Sequence, residues 1–589
     1  MFGAPHAIVN TRSPHGESIP AASRRFLTLR PWGQYRRSMN DPLHYLTIAD
    51  AAALIKRKAL SPVELTGSYV ERIAALDPLL DAFITRTIDS ALATAKAAEA
   101  DIMSGKYKGP LHGIPFGLKD IYDTAGIRTT AHSRICIDNV PTRDATAVER
   151  LYAAGGILLG KLATHEFASG GPSLDLPWPP ARNPWNLDHF TGGSSSGAGA
   201  AIAAGLMPYA LGTDTGGSIR IPAALCGLAG LKPTYGRVSR AGVIPNSHTF
   251  DHCGPLAWTV EDCAIVLQAI AGHDPRDPAS ANEAVPDFRA ALTGNIRGLR
   301  VGVLRHFWED EGPVAPEMAQ AMDAALEVFR SLGAIVETIR IRSRREFNDV
   351  RSVISRSELL SIYDREIRER PGDFSEDFLG RNLAACMFTA GDIVRAQRER
   401  RRMLAEMTPL YDRYGVFITA TSAPAPRLDN LIGGGFADKW ENPSIYQPFN
   451  LTGAPALVVC NGYTPSGLPL GMQITGRPFD EATVLNTGHA YEKSTEWRNR
   501  RPALSPNMTR NELKEPALLQ SGPHDALSIA PEIRRLLDDS LQRAGYRLTD
   551  AQRRLVERVA PHVLASAGRL PRDQQWHDEP AAVFRFPGK

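Results

Sequence analysis

The chain has 589 residues, 43% of them hydrophobic and 22% charged, with a formal net charge of +3. This is ordinary globular composition with enough apolar material for a large core, and the near-neutral charge makes no electrostatic case for nucleic acid or a membrane surface. No run approaches the roughly 18 apolar residues of a bilayer span, and Cys136, Cys226, Cys253, Cys263, Cys386 and Cys460 show no C-x-x-C spacing, so they read as reduced core residues of a cytoplasmic protein.

Residues 1–38 hold six arginines and one acid, Glu17, without helical or strand period. They read as a disordered extension, with Met39 able to serve as a start, although the composition also resembles a transit peptide. From Thr47 the pattern is helical, and Val63, Leu65, Val70 and Ile73 share a second helical face over 62–76. Residues 145–154 read as a helix stopped by Gly155-Gly156, followed by a short buried strand, Ile157-Leu158-Leu159. Further on, 299–304 is strand-like, Met318, Met322, Leu326 and Phe329 mark an amphipathic helix, and 335–341 is the next strand. That is a βαβ unit, which implies parallel pairing. Residues 416–420, 456–459 and 470–474 are further strands. The arginine-rich run between Arg340 and Arg370 is interleaved with Glu346, Asp349, Glu358 and Asp364 and reads as a solvated helix face. Residues 504–525 form a linker, and two amphipathic helices are expected over 529–544 and 551–564.

Three segments carry chemistry. In Thr213-Asp214-Thr215-Gly216-Gly217-Ser218 the glycines let successive N–H groups face one concavity beside a serine, which suits a tetrahedral oxyanion. Gly192-Gly193-Ser194-Ser195-Ser196-Gly197 adds three hydroxyls on a permissive backbone ahead of an alanine-rich helix. It lacks the Gly-Lys-Ser/Thr ending of a phosphate loop. It does fit G-x-S-x-G, which would make Ser195 a nucleophile, but His189-Phe190-Thr191-Gly192 is a poor buried strand to precede an elbow. Lys119 lies in the apolar stretch Pro115-Phe116-Gly117-Leu118-Lys119-Asp120. To act as a base it must be neutral, and lowering an amine from about 10.4 towards 7 takes burial worth roughly 4 to 5 kcal/mol. His248, His252, Cys253 and Cys263 lie close in sequence but match no common zinc spacing. No metal and no cofactor is expected.

The three segments, in this order, resemble the amidase signature family. So do Arg220-Ile221-Pro222-Ala223-Ala224, the stretch from Gly230 to Arg237, Asn183-Pro184-Trp185-Asn186, Asn450-Leu451-Thr452-Gly453 and the stretch from Gly467 to Gln473. The likeness spans about 46–502. It implies an α/β fold: one large domain over 39–503 with a mixed, twisted sheet covered by helices on both faces, and a small helical extension over 526–589. It implies hydrolysis of a carbon–nitrogen amide bond through an acyl-enzyme. Ser218 would be the nucleophile, and Ser194, after a cis peptide, would bridge it to Lys119. Thr215, Gly216 and Gly217 would line the oxyanion hole, with Ser195, Asp214 and Arg220 as supports.

The expected substrate is a small-molecule amide or carbamate, without nucleic acid or membrane, and with a homodimer left open. Residues 165–181 and 430–447 are expected to rim its pocket. One alternative is the A subunit of a tRNA-dependent amidotransferase, which frees ammonia from glutamine. Arg381 could serve its glutamine site, but the matching acid position falls near Pro443, with none closer than Glu441. A second alternative is a non-catalytic scaffold with the same fold. The extension is similar to small partner subunits of some bacterial amidases.

Overall fold

Short apolar runs between glycine- and proline-rich turns become the strands of one mixed sheet. The structure, a computed structural model, describes residues 42–421, 423–431, 443–514, 529–575 and 578–580. The expected N-terminal extension, the second half of the expected linker and residues 581–589 lie outside them. In chain order the strands are β1 (Phe83–Arg86), β2 (Pro115–Lys119), β3 (Ile157–Leu162), β4 (Arg182–Asn183), β5 (Asn186–Phe190), β6 (Tyr209–Asp214), β7 (Ala229–Lys232), β8 (His252–Ala257), β9 (Arg300–Val303), β10 (Ile335–Thr338), β11 (Val416–Ala420), β12 (Ala456–Tyr463) and β13 (Pro469–Gly476). Eleven of them form a sheet in the order β1-β3-β2-β6-β8-β7-β12-β13-β11-β9-β10, while β4 and β5 pair separately.

The β2–β3 and β2–β6 pairs are parallel, and β6–β8 is antiparallel. As the βαβ pattern predicts, β9 and β10 pair in parallel around the Pro316–Ser331 helix. Strands β2, β3, β6, β8, β11 and β13 are buried along their whole length, as expected where helices cover both faces. The Ser196–Ala203 helix is buried throughout and lies against β2, β6 and β8. Its small residues permit that close approach. At Gly197 a Cβ would come within 2.4 Å of the Ala82 carbonyl oxygen.

The arginine-rich run departs from its reading as a solvated face. Ser343 and Glu346 close a capping box at the start of the Arg344–Ile362 helix, which then buries Phe347, Val350, Val353 and Ile354. The charge interleaving resembles a surface pattern, but other elements cover this helix. Among them is the C-terminal extension, whose helices are Pro531–Ala544 and Asp550–Gly568. Leu555, Val556, Val559, Ala560 and Val563 are buried as the second of these packs on the Glu376–Asn382 and Arg344–Ile362 helices. Arg569 follows it and grips Asp349 with two nitrogens at 2.6 and 2.7 Å. The first half of the expected linker is also held down, with Arg182 donating to the Asn511 carbonyl at 2.8 Å. Among the described residues, no helix is long and apolar enough to cross a membrane.

Candidate active site

Strand β2 carries Lys119 to its C-terminal end, between β3 and β6, where the side chain is completely buried. Its Nζ donates to Ser194 Oγ at 2.7 Å and to Thr213 Oγ1 at 2.8 Å. Burial drives the lysine down to about 7, against the opposing pull of the Asp251 and Asp214 carboxylates. A lysine with only hydroxyl partners and such a value exists largely as the free amine slightly above neutrality, and a free amine can accept a proton.

The peptide bond between Gly193 and Ser194 is cis. Two glycines make this loop possible. Gly192 has φ +80°, and a Cβ there would come within 2.8 Å of the Pro222 backbone; one on Gly193 would strike the His165 ring at 2.2 Å. The serine loop thus lies directly against the start of the Arg220–Cys226 helix. Ser194 and Ser218 both line the same cavity, and the backbone N–H of Ser195 donates to the Ser218 carbonyl at 3.3 Å. Ser195 turns the other way. Its hydroxyl is fully buried, donates to the Thr213 carbonyl and accepts from the Thr213 N–H, each at 3.3 Å. It does not line the cavity. The strand preceding this loop, β5, pairs with β4 rather than with the main sheet, so an elbow on Ser195 has no central strand beneath it.

Asp214 organises the turn that carries Ser218. One carboxylate oxygen accepts from the Gly217 N–H at 2.7 Å, and the other from the Ile219 N–H at 3.2 Å. Arg220 meets both oxygens at 2.9 Å from Nε and Nη2. Arg220 continues to Asn450 Oδ1 and Gln473 Oε1, each at 2.6 Å, and Asn450 donates back to Asp214 at 2.7 Å. Although burial opposes ionisation, the adjacent Arg220 and Asn450 hold the Asp214 carboxyl far below the usual carboxylate range. The oxyanion expectation needs one revision. The Gly217 N–H is committed to Asp214, whereas the N–H groups of Thr215, Gly216 and Ser218 meet no acceptor among the described residues.

The cavity measures about 660 Å³. Its rim includes 165, 168–170, 431 and 443–447, within the two stretches expected to form it; residues 432–442, Glu441 among them, lie outside the described set. Pro443 lines the cavity, as does Arg381. Arg381 forms a bidentate pair with Asp377, both contacts at 2.7 Å. Among the described residues, no group of three or more His, Cys, Asp or Glu could hold a metal. His252 Nδ1 faces the Phe250 carbonyl at 2.6 Å, and all six cysteines are unpaired.

Sequence reasoning gave His165 no role beyond its place in the first rim stretch and missed Arg351 altogether; both line the cavity. Neither carries a local signal. His165 follows β3 with no glycine run of its own, and Arg351 sits inside the mixed-charge run. Asn450 and Gln473 lie in matched stretches, yet only the fold shows that both converge on Arg220.

Comparison with known proteins extends this picture. The A subunit of the glutamyl-tRNA(Gln) amidotransferase of Chloroflexus aurantiacus is 41% identical over 489 residues, covering 78% of this chain and 99% of the relative. Its namesake from Moorella thermoacetica is 38% identical over 486 residues, with the same coverage. Among solved structures, a chain from a vestigial protein complex, described as revealing the evolutionary origins of an s-triazine catabolic enzyme, matches with TM-score 0.71 and 33% identity over 76% of this chain and 98% of its own. The peptide amidase of Stenotrophomonas maltophilia matches with TM-score 0.68 and 31% identity, covering 78% and 99%. The A subunit of the Thermotoga maritima glutamyl-tRNA(Gln) amidotransferase gives 0.66 and 30%, covering 77% and 96%.

These names correct one expectation. A chain acting alone or as a homodimer on a free small-molecule amide, without nucleic acid, gives way to relatives that are each one subunit of an enzyme acting on glutamyl-tRNA(Gln). The error arose because the motifs encode the attacking groups and say nothing about what sits beyond the cavity mouth. Residues 64–485 match the family model described as Amidase, and with these relatives that match establishes that the chain belongs to the amidase signature family.

Proposed function

We propose that this chain is the amide-hydrolysing member of an amidotransferase-type assembly, with glutamine as amide donor. Neutral Lys119 draws a proton from Ser194 Oγ, which takes one from Ser218. Ser218 Oγ attacks the carboxamide carbon, and the oxyanion is received by the N–H groups of Thr215, Gly216 and Ser218. Asp214 and Arg220 keep this turn in shape, with the Gly217 N–H as the tie. Ser194 returns the proton to the departing nitrogen, which leaves as ammonia. Water then attacks the acyl-enzyme by the same proton path in reverse. The freed ammonia is used by an acceptor held elsewhere in the assembly. The C-terminal helices, which resemble a small partner subunit, take that partner's place within this chain.

The observation that carries this reading is the 2.7 Å contact between buried Lys119 Nζ and Ser194 Oγ, with Ser194 and Ser218 lining one cavity. The test measures ammonia release from glutamine by the full chain, with intact mass to locate the acyl group, and then transfer of ammonia to glutamyl-tRNA(Gln) once the other members of the assembly are supplied. Acylation at Ser218 with glutamine turnover supports the proposal. A chain that never acylates, or that acylates at another residue, overturns it; the first outcome would favour the scaffold reading.

A further inference from the structure

The register of β6 against β8 sets Asp214 opposite His252, so Thr215 and Asp251, just beyond that pair, come side by side. Thr215 Oγ1 donates to Asp251 Oδ1 at 2.5 Å. The other carboxylate oxygen accepts from the N–H groups of Asn246 and Ser247 at 2.8 and 2.9 Å. Asp251 is buried, and among the described residues it forms no ion pair and does not line the cavity. Hydrogen bonds at both oxygens therefore anchor a carboxylate that has no cation beside it.

Thr215 is held at every polar atom but one. Its hydroxyl is bound by Asp251, and its carbonyl accepts from Arg351 Nε at 3.0 Å. The Asp214 carbonyl, which shares a peptide plane with the Thr215 N–H, accepts from Asn450 Nδ2 at 3.2 Å. The Thr215 N–H alone meets no acceptor among the described residues, and Thr215 lines the cavity that holds Ser218. The chain beyond it supplies little stiffness, since Gly216 and Gly217 follow and Gly217 has φ +123°. A β-branched residue has few side-chain rotamers, so a grip on its hydroxyl also fixes its Cα and the direction of its N–H.

We propose that Asp251 is a positioning residue of the reaction, which acts through the Thr215 hydroxyl to aim the Thr215 N–H at the developing oxyanion. This rests on the reading of Ser218 as the nucleophile but not on glutamine being the donor. Asp251 and Asp214 divide the turn between them. Asp214 takes the Gly217 N–H out of use, and Asp251, by holding a side chain instead of an N–H, leaves the Thr215 N–H available. The carboxylate touches no substrate, so its effect reaches the oxyanion only through Thr215.

The test uses p-nitrophenyl acetate with the full chain at about pH 9, read as the nitrophenolate burst and by intact mass. Burial drives Lys119 down to about 7, with Asp251 first among the charges that oppose it. At that pH the lysine is neutral with or without the carboxylate, so the rates report the oxyanion turn alone. Removing an oxyanion donor costs roughly 10²- to 10³-fold, and misaiming one should cost roughly 10- to 100-fold. Thr215→Val keeps the shape and the N–H but loses the hydroxyl; it should lose that much of the maximal acylation rate, with little change in the half-saturating probe concentration. Thr215→Ser should recover most of the loss. Asp251→Asn should match Thr215→Val, because an amide cannot accept at both edges, and the double variant should lie within about threefold of either single one. A Thr215→Val rate within about threefold of wild type, losses that multiply in the double variant, or a loss seen only in melting temperature would each overturn the proposal. If Asp251→Asn fails to fold, the two Thr215 variants still decide. A wild type that is not acylated at Ser218 would sink the reading of the site and this proposal with it. Acylation by the ester without glutamine turnover would sink the glutamine reading and spare this one.

Discussion

Lys161 Nζ lies 3.3 Å from Asp120 Oδ1, with both side chains fully buried, on the strand next to the one that bears Lys119. The two lysines share residue type and burial, and burial lowers both. Their partners separate them. Lys161 has a carboxylate at hand, plus the Tyr122 carbonyl at 2.7 Å. Lys119 has two hydroxyls. The first arrangement holds a charge, and the second holds a base.

That difference predicts a pH profile. The active form of Lys119 is the neutral one, and its value of about 7 lies below the 10.5 of a free lysine. The acylation rate should therefore be half-maximal near pH 7, level off about a unit above it and fall about tenfold for each further unit below it, with Lys119→Met losing the rise along with roughly 10²- to 10⁴-fold of the rate. Single-turnover ammonia release across pH measures it, and a profile flat from pH 5 to 9 would exclude Lys119 as the base. Lys161→Met should act instead on stability. It leaves Asp120 buried without its cation, at a cost of about 3 to 5 kcal/mol.

Ser195 and Ser218 separate by burial and contacts, and so should their variants. Ser218→Ala should abolish acylation by an amide or a serine-directed sulfonyl fluoride, as read by intact mass. Ser195→Ala removes two 3.3 Å contacts with Thr213 and should slow the reaction by no more than about 30-fold, since such neutral bonds contribute only about 1 kcal/mol each. The opposite ranking would reinstate the elbow on Ser195.

Asp214 and Arg220 form a buried ion pair within a network completed by Asn450 and Gln473. Asp214→Asn leaves the guanidinium without its counter-charge and weakens the acceptor for the Gly217 N–H. The expected outcome is destabilisation of about 3 to 5 kcal/mol with loss of activity, followed by denaturant unfolding. Wild-type stability in Asp214→Asn would mean that the network contributes little to the turn.

The C-terminal helices should matter to the whole molecule. Truncation after residue 525 uncovers the helices that carry Arg351, Arg356 and Arg381, and removes the buried row Leu555, Val556, Val559 and Val563. Each large apolar side chain of that row contributes about 1.5 to 3 kcal/mol when buried. The truncated chain should therefore melt lower and aggregate. A soluble truncation with full activity would show that the catalytic domain stands without its extension.

Much of the centre was legible because it is encoded locally. Glycines at 192, 193, 216 and 217 dictate backbone shape, and the residues they flank, Ser194 and Ser218, are the ones that reach the cavity. Lys119 was legible because an amine in an apolar strand demands a reason. Arg351 was not. It sits in a run of mixed charge, and whether that helix faces solvent depends on what packs over it, here including a segment some two hundred residues away. His189-Phe190-Thr191-Gly192 reads as a poor buried strand to precede an elbow, and β5, which reaches only Phe190, indeed pairs with β4 outside the main sheet. Gly217 shows the limit met at Arg351 on a smaller scale. The turn sequence suggests several available N–H groups, but only the position of Asp214 decides which one is already taken.

The grip of Arg569 on Asp349 has a consequence for dilution. A separate small subunit would leave its catalytic neighbour whenever its concentration fell below the dissociation constant. A covering segment joined by one stretch of chain remains at a fixed, high local concentration. The wall of the cavity that bears Arg351 is thus supported at nanomolar as at micromolar enzyme, always with one cover for each catalytic domain.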